Sequence, residues 1–339
     1  MQIKQPGSIP TLIPPAVTFT LVRKLLKQKK FLNQSIIPIL SKAMQQNDGS
    51  LDESDIRKIT HYYGLAVPAV LGEAFCVLRG SPMTTAERWA STSQGAMTGL
   101  FDDFFDKQYL SDEAVEKLVQ DEATSQPWQS NETLFNIFYR KALDTVADKM
   151  AMQSALGKVY EAQVNSKKQQ ETNCSLSFIH DTTFFKGGTS LLFYRTAFHP
   201  KPSEQETELL YKLGGIMQLS NDIFDVYKDR ENGTRTLVTE AVHIDDVMNL
   251  LTNQLTDCFK QSAKTGFPQK NSRQFLSTLS LGIFSRALVC LEQLKGLEAS
   301  SDNRFQVHQY SRKQLICDMD TLRNILRSAA YHKQVMKLH

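Results

Sequence analysis

Ser203–Gly233 reads SEQETELLYKLGGIMQLSNDIFDVYKDRENG. Ser203-x-x-Glu206, just after Pro200 and Pro202, is a capping box. In that arrangement the hydroxyl accepts an orphan N–H of the first turn, and the carboxylate accepts the N–H of the cap residue. At the far end, Asn232-Gly233 supplies a left-handed stop. The run between reads as one helix of roughly 28 residues, about 42 Å at 1.5 Å per residue. Helices of that length suit an all-α bundle better than a sheet flanked by helices.

The rest of the chain agrees. From about residue 35 onward the pattern is helical almost throughout, with no convincing alternating strand and no internal repeat. Thr84-x-x-Glu87 is another capping box. It opens a helix through RWASTSQGAMTGLFDDFFDKQYL that should stop near Ser111, itself a cap for the next helix. No linker is long and polar enough to divide the chain. The expectation is one α-helical domain over residues 35–339, preceded by residues 1–34. That leading segment holds an irregular arm with Pro6, Pro10, Pro14 and Pro15, then the basic amphipathic helix VRKLLKQKKFL.

Composition narrows the function classes. The chain has 339 residues, 41% of them hydrophobic, which is ample for a sizeable core. Its 39 basic and 36 acidic residues are too balanced to make nucleic acid the main partner. Cys76, Cys174, Cys258, Cys290 and Cys317 are scattered without a CxxC. With no signal-peptide pattern at the N-terminus, they read as reduced thiols of a cytoplasmic protein. No segment approaches 18 uninterrupted apolar residues, so no membrane-spanning helix is expected. The basic N-terminal helix reads either as a solvated face or as a peripheral contact with an anionic membrane.

Two acidic clusters carry the chemistry. In FDDFFD, Asp102 and Asp106 are i,i+4 neighbours and Asp103 and Asp106 are i,i+3, so all three carboxylates crowd one side of a helix. In NDIFDVYKD, Asn221, Asp225 and Asp229 recur every four residues, and Asp222 lies beside them. Read blandly, each is a charged patch on a solvated helix. The alternative is a cation between them. Mg²⁺ takes hard oxygen ligands and commonly bridges carboxylates to substrate phosphates. It would relieve the repulsion and stabilise a diphosphate leaving group.

The pair resembles the two metal motifs of the class I isoprenoid synthases. DDFFD matches their aspartate-rich DDxxD. NDIFDVYKD has the register of N-D-x-x-[S/T]-x-x-x-E, with Asp225 where Ser or Thr is usual and Asp229 where Glu is usual. It also resembles the N-x-x-x-D-x-x-x-D pattern of squalene and phytoene synthases. The nearest likeness is to the class IB, or large-terpene, synthases built on the squalene-synthase-like scaffold. That resemblance implies an all-α single-domain bundle with a central cavity, and three Mg²⁺ ions held with the substrate diphosphate. Asp102, Asp103 and Asp106 would hold one part of the metal cluster. Asn221, Asp222, Asp225 and Asp229 would hold the other. Lys186, Lys228, Arg230 and Arg235 would neutralise the diphosphate. Arg195 and Arg304 are weaker candidates.

Lys186 precedes Gly187-Gly188, where a helix break is expected. It resembles the phosphate-binding lysine at a kinked helix of the chain elongases. Aromatic rings would shield a carbocation from water. Tyr62, Tyr63, Phe75, Phe104, Phe184, Phe185 and Phe193 are the candidates.

The basic GKRxRP-like segment and the Arg pair that hold a second diphosphate in elongases are missing. The implied activity is therefore that of a class I terpene synthase. Such an enzyme ionises a linear polyprenyl diphosphate with Mg²⁺, then cyclises or eliminates. The alternative is a trans-prenyltransferase, either chain-elongating or condensing head to head. A non-enzymatic helical binding protein is a third reading. Homodimerisation, common in related folds, stays open.

Overall fold

The computed structural model describes residues 15–106, 110–120 and 129–338; for residues 15–21 and 106 the description covers the backbone alone. The chain is 77% helical with no strand among the described residues, so the all-α expectation holds. Its described residues group into two compact helical units. One, here the N-terminal unit, comprises the described residues of 15–163 and 192–201. The other, the C-terminal unit, comprises residues 164–191 and 202–338.

In the N-terminal unit, α1 (Pro15–Phe31) passes through a wider π-type turn, Leu32–Ile36, into α2 (Ile37–Gln45). The boundary drawn at residues 34 and 35 falls inside this continuous run. Gln28 anchors it. Its fully buried amide donates to the Gly64 carbonyl and the Thr92 hydroxyl, both at 2.9 Å, and accepts from Arg88 at 2.7 Å. Leu32, Ile36 and Leu40 extend the same buried face. A second broken run follows: α3 (Glu53–Arg57), a π-type turn (Lys58–Tyr63), α4 (Gly64–Ala66), another such turn (Val67–Gly72) and α5 (Glu73–Arg79).

The long helix of this unit is α6 (Thr85–Asp106). Its capping box is formed as expected: the Glu87 N–H donates to Thr84 Oγ1 at 3.2 Å, and the Thr84 N–H to Glu87 Oε2 at 2.9 Å. α7 (Asp112–Val119) starts at Ser111, whose hydroxyl accepts the Ala114 N–H. α8 (Ser130–Leu143) and α9 (Lys149–Ser166) complete the unit. Phe101, Phe104, Phe135, Phe138 and Tyr139 are buried between α6 and α8.

The C-terminal unit holds α10 (Leu176–Arg195, its last turn grouping with the other unit), α11 (Glu204–Phe224), α12 (Val226–Glu231) and α13 (Ile244–Ser262). α14 (Gln269–Leu279) runs through a π-type turn into α15 (Ser285–Ala299); α16 (Arg312–Leu315) and α17 (Leu322–Val335) follow. Ser203 caps α11 through the Glu206 N–H at 3.1 Å, and Gly233 stops the run with φ +66°.

Two expectations need correction. The helix expected to be continuous from residue 203 to the stop bends once, at Asp225 (φ −89°, ψ 8°), where α11 hands over to α12. The break expected at Gly187-Gly188 does not occur, and α10 is continuous through both. Those glycines serve packing instead. A Cβ on Gly187 would lie 2.1 Å from the Gly214 carbonyl oxygen, and one on Gly214 2.2 Å from that of Gly187. Gly188 and Gly215 are filled in the same way by the Tyr211 and Phe184 rings. α10 and α11 thus cross with their backbones in contact, closer than side-chain-bearing helices can approach.

Two helical stretches, Glu53–Arg79 and Gln269–Ala299, are long and apolar enough by composition to cross a membrane. Half or more of each apolar window is buried inside the protein, as in core helices. A search for uninterrupted apolar runs passes over both.

Candidate functional site

The α10–α11 crossing builds the second acidic cluster. Gly214, Gln218 and Asp222 lie one turn apart on the side of α11 that meets α10. Because the backbones touch at Gly187, Thr183 reaches Asp222: its hydroxyl donates to Oδ2 at 3.3 Å. Gln218 Nε2 donates to Oδ1 of the same carboxylate at 2.8 Å. Asn221 Nδ2 donates to Asp225 Oδ2 at 3.2 Å. Asp229 follows one turn later, with the Asp225 carbonyl accepting its N–H at 2.8 Å.

Negative charge is in surplus here. Burial pushes the buried Asp222 carboxyl up to about 6, although the Gln218 amide, the Lys186 charge and Thr183 oppose the shift. Burial, then the charges of Asp222 and Asp225, push the Asp229 carboxyl up to about 8; Lys228 and Lys186 counter only part of this. Either a proton or a cation can relieve such a site. Across the bend at Asp225, Asn221 bonds Asp225, and the charges of Asp222 and Asp225 act on Asp229.

The first acidic cluster, in the N-terminal unit, is furnished differently. Gly95 and Gly99 on α6 make room for the π-type turn of Lys58–Tyr63. A Cβ on Gly95 would meet the Tyr63 carbonyl oxygen at 2.5 Å, and one on Gly99 the Lys58 Cβ and the Tyr63 ring at 3.2 Å. One turn further along α6, Lys58 pairs with the buried Asp103. The Tyr63 hydroxyl donates to Asp102 Oδ2 and Gln163 Nε2 donates to Asp102 Oδ1, both at 2.9 Å. The Asp106 side chain lies outside the described residues.

The cations expected around a diphosphate separate into two groups. Lys186 is half-buried, and its charge acts on Asp222 and Asp229; Lys228 is exposed and acts on Asp229. The two arginines hold the chain together. Arg230 donates to the Val307 and Tyr310 carbonyls at 3.0 and 2.6 Å and to Glu231. Arg235 donates to the Thr172 carbonyl at 2.8 Å and to Glu240 at 2.6 Å. Arg195 is buried against the Phe198 and Pro200 carbonyls, and Arg304 is exposed. Among the aromatic candidates, Phe75, Phe104, Phe184 and Phe193 are core residues, Tyr63 and Phe185 are half-buried and Tyr62 is exposed.

Whether Mg²⁺ suits these residues is a question of donor chemistry. Asn221, Asp225 and Asp229 offer hard oxygens one helical turn apart, in surroundings short of positive charge. That fits an ion that takes few protein ligands and completes its shell with water and phosphate. Among the described residues, no three His, Cys, Asp or Glu side chains form a ready-made metal cage. Asp102 and Asp103 fit less well, since protein donors already occupy both.

Motif reading missed Thr183, Gln218, Lys58, Tyr63 and Gln163. Spaced glycines signal the close approaches of Lys58, Tyr63 and Thr183, and the i,i+4 spacing to Asp222 signals Gln218; Gln163, on α9, has no such signal. Compared with known proteins, the chain matches no family model, and no curated protein matches it.

Proposed function

We propose that the protein is a Mg²⁺-dependent class I terpene synthase acting on a linear polyprenyl diphosphate. The observation that carries this reading is the row of oxygen donors on α11 and α12, Asn221, Asp225 and Asp229, set beside the α10 face that bears Thr183 and Lys186. Bound Mg²⁺ would supply positive charge to the diphosphate as it leaves. In this reading Asn221 and Asp225 orient each other through their hydrogen bond. Thr183 and Gln218 hold the Asp222 carboxylate in place. Lys186, with Lys228, contributes charge to the diphosphate. Arg230 and Arg235 drop out of that role because backbone carbonyls and acids already engage them. Asp102, Asp103 and Asp106 are the second acid set of the same reading. Lys58 must release Asp103 before that carboxylate can serve as a ligand.

The test is diphosphate release with Mg²⁺ from geranyl, farnesyl, geranylgeranyl and longer diphosphates, each offered with and without isopentenyl diphosphate. Release from one substrate alone, giving a hydrocarbon or alcohol and lost in Asp225→Ala, supports the proposal. Release that needs isopentenyl diphosphate would make the protein an elongating prenyltransferase. A condensed product from one substrate would make it the head-to-head type. No release from any of them sinks all three.

A further inference from the structure

Charge is distributed very unevenly along this chain. The first 47 residues contain seven Lys or Arg and no Asp or Glu; the remaining residues carry 32 basic against 36 acidic. The structure fixes which way the described part of this segment faces. Gln28, Leu32, Ile36 and Leu40 point into the N-terminal unit, and Lys24 pairs with Glu73 at 3.9 Å. The opposite side is outward. Val22 is 47% exposed and Leu26, one turn on, 62% exposed. Arg23, Lys27, Lys29 and Lys30 are exposed as well, and among the described residues none of them makes an ion pair. At about 100° per residue, Val22 and Leu26 form a stripe with Lys29 on one flank and Lys30, Arg23 and Lys27 on the other. α2 continues the surface with exposed Ile37, Lys42 and Met44.

We infer that the outward face of α1 and α2 docks the protein on an anionic lipid bilayer. An apolar stripe between basic flanks is how a helix lies in a membrane interface, its aliphatic groups among the acyl chains and its cations at the headgroups. The complete lack of acidic residues across the segment removes the repulsion that a mixed-charge solvated face would feel. Gln28 holds the helix to the folded body, so the face is preformed and rigid. The inference stands apart from the proposed chemistry, and either can fail without the other.

Vesicle flotation of the full chain tests it, comparing phosphatidylcholine alone with phosphatidylcholine containing about a third phosphatidylserine. Binding is expected only to the anionic vesicles and should weaken as salt rises. Lys27→Gln/Lys29→Gln/Lys30→Gln should lower the partition coefficient on the order of a hundredfold, at about fivefold per charge removed. Val22→Ser/Leu26→Ser should lower it about tenfold through lost apolar contact. All these positions are outward, so the melting temperature should stay put in both variants. No binding to anionic vesicles, or equal binding by the triple variant, overturns the inference. So does loss in the triple variant with none in the serine variant, which would describe a polyanion such as nucleic acid rather than a bilayer. A dimer in lipid-free solution that Leu26→Ser dissolves would also overturn it, because the face would then belong to a second copy.

Discussion

The two acidic clusters share a building device and engage their lysines differently. In each, glycines let a second backbone come close, and that approach brings a lysine and a hydroxyl group to the carboxylates. In the N-terminal unit Lys58 pairs directly with Asp103, and Tyr63 and Gln163 bond Asp102. In the C-terminal unit burial and the neighbouring aspartates prevail over the nearby lysines, and Asp229 is pushed up to about 8. The count of aspartates is similar, so the number of acids in a motif says little about its readiness for a cation. What differs is contact: Lys58 pairs directly with Asp103, whereas Lys186 acts on Asp222 and Asp229 through its charge.

The comparison breaks most easily at the crossings. Gly214→Val places branched carbons against the Gly187 backbone, and Gly95→Val places them against the Tyr63 carbonyl. Each should cost about 3 kcal/mol or more in urea unfolding, as overpacking against backbone does. Gly157→Ala is the control. That glycine lies within α9 with nothing within 4 Å of a Cβ, so alanine should stabilise by about 0.5–1 kcal/mol.

Removing the lysines should separate the clusters next. Lys58→Met leaves the buried Asp103 without its ammonium and should cost about 2 kcal/mol, below the fully buried range because Lys58 is partly exposed. Lys186→Met should cost less than about 1 kcal/mol near neutral pH, because Asp229 can hold a proton instead. Equal costs would mean that the two sites are not electrostatically different.

Opposite pH slopes are a finer test. Glu87, in the N-terminal unit, is buried, which alone would raise it; Arg79 and the N–H groups of Thr84 and His199 overcome this and hold it at about 2. A depressed carboxyl stabilises the fold above its unfolded value, and that stability is lost as pH falls from about 4.5 toward 2. Asp229 has the reverse sign. The folded state binds a proton that the unfolded state has lost, so stability should fall by about 2 kcal/mol as pH rises from 4 to 8, after allowance for screening at this half-buried position. Asp229→Asn should flatten that slope and leave the acid limb unchanged. A purely local effect belongs to the caps: Thr84→Ala should cost about 1 kcal/mol in thermal unfolding.

Much of the fold was legible because its signals are local. Thr84, Ser111, Ser203 and Gly233 mark helix ends through hydrogen bonds to residues next to them in sequence. The acidic stripe was legible for the same reason, since a period of four is a property of one helix. The partners were not. Thr183 and Asp222 are brought together by a crossing whose geometry depends on two glycine pairs far apart in sequence. Gly187-Gly188 was read for its helix-breaking tendency, whereas the crossing uses the space left by the missing side chains. Arg230 and Arg235 looked available because their carbonyl partners, at Val307, Tyr310 and Thr172, are invisible to a linear reading. The bend at Asp225 had no residue signal at all.

The glycine crossing also works as a ruler. At Gly187 and Gly214 the α10 and α11 backbones are in direct contact, and this main-chain contact helps set the offset between Thr183 and Asp222. Alanine at Gly187 would have to move its methyl from 2.1 Å to ordinary contact distance, a displacement of more than about 1 Å passed to everything α10 carries. Metal–oxygen bonds tolerate about 0.2 Å. The placement of Thr183 and Lys186 against the acidic row is therefore held by two residues that have no functional group, and a change that looks chemically silent would shift it before it unfolded the protein.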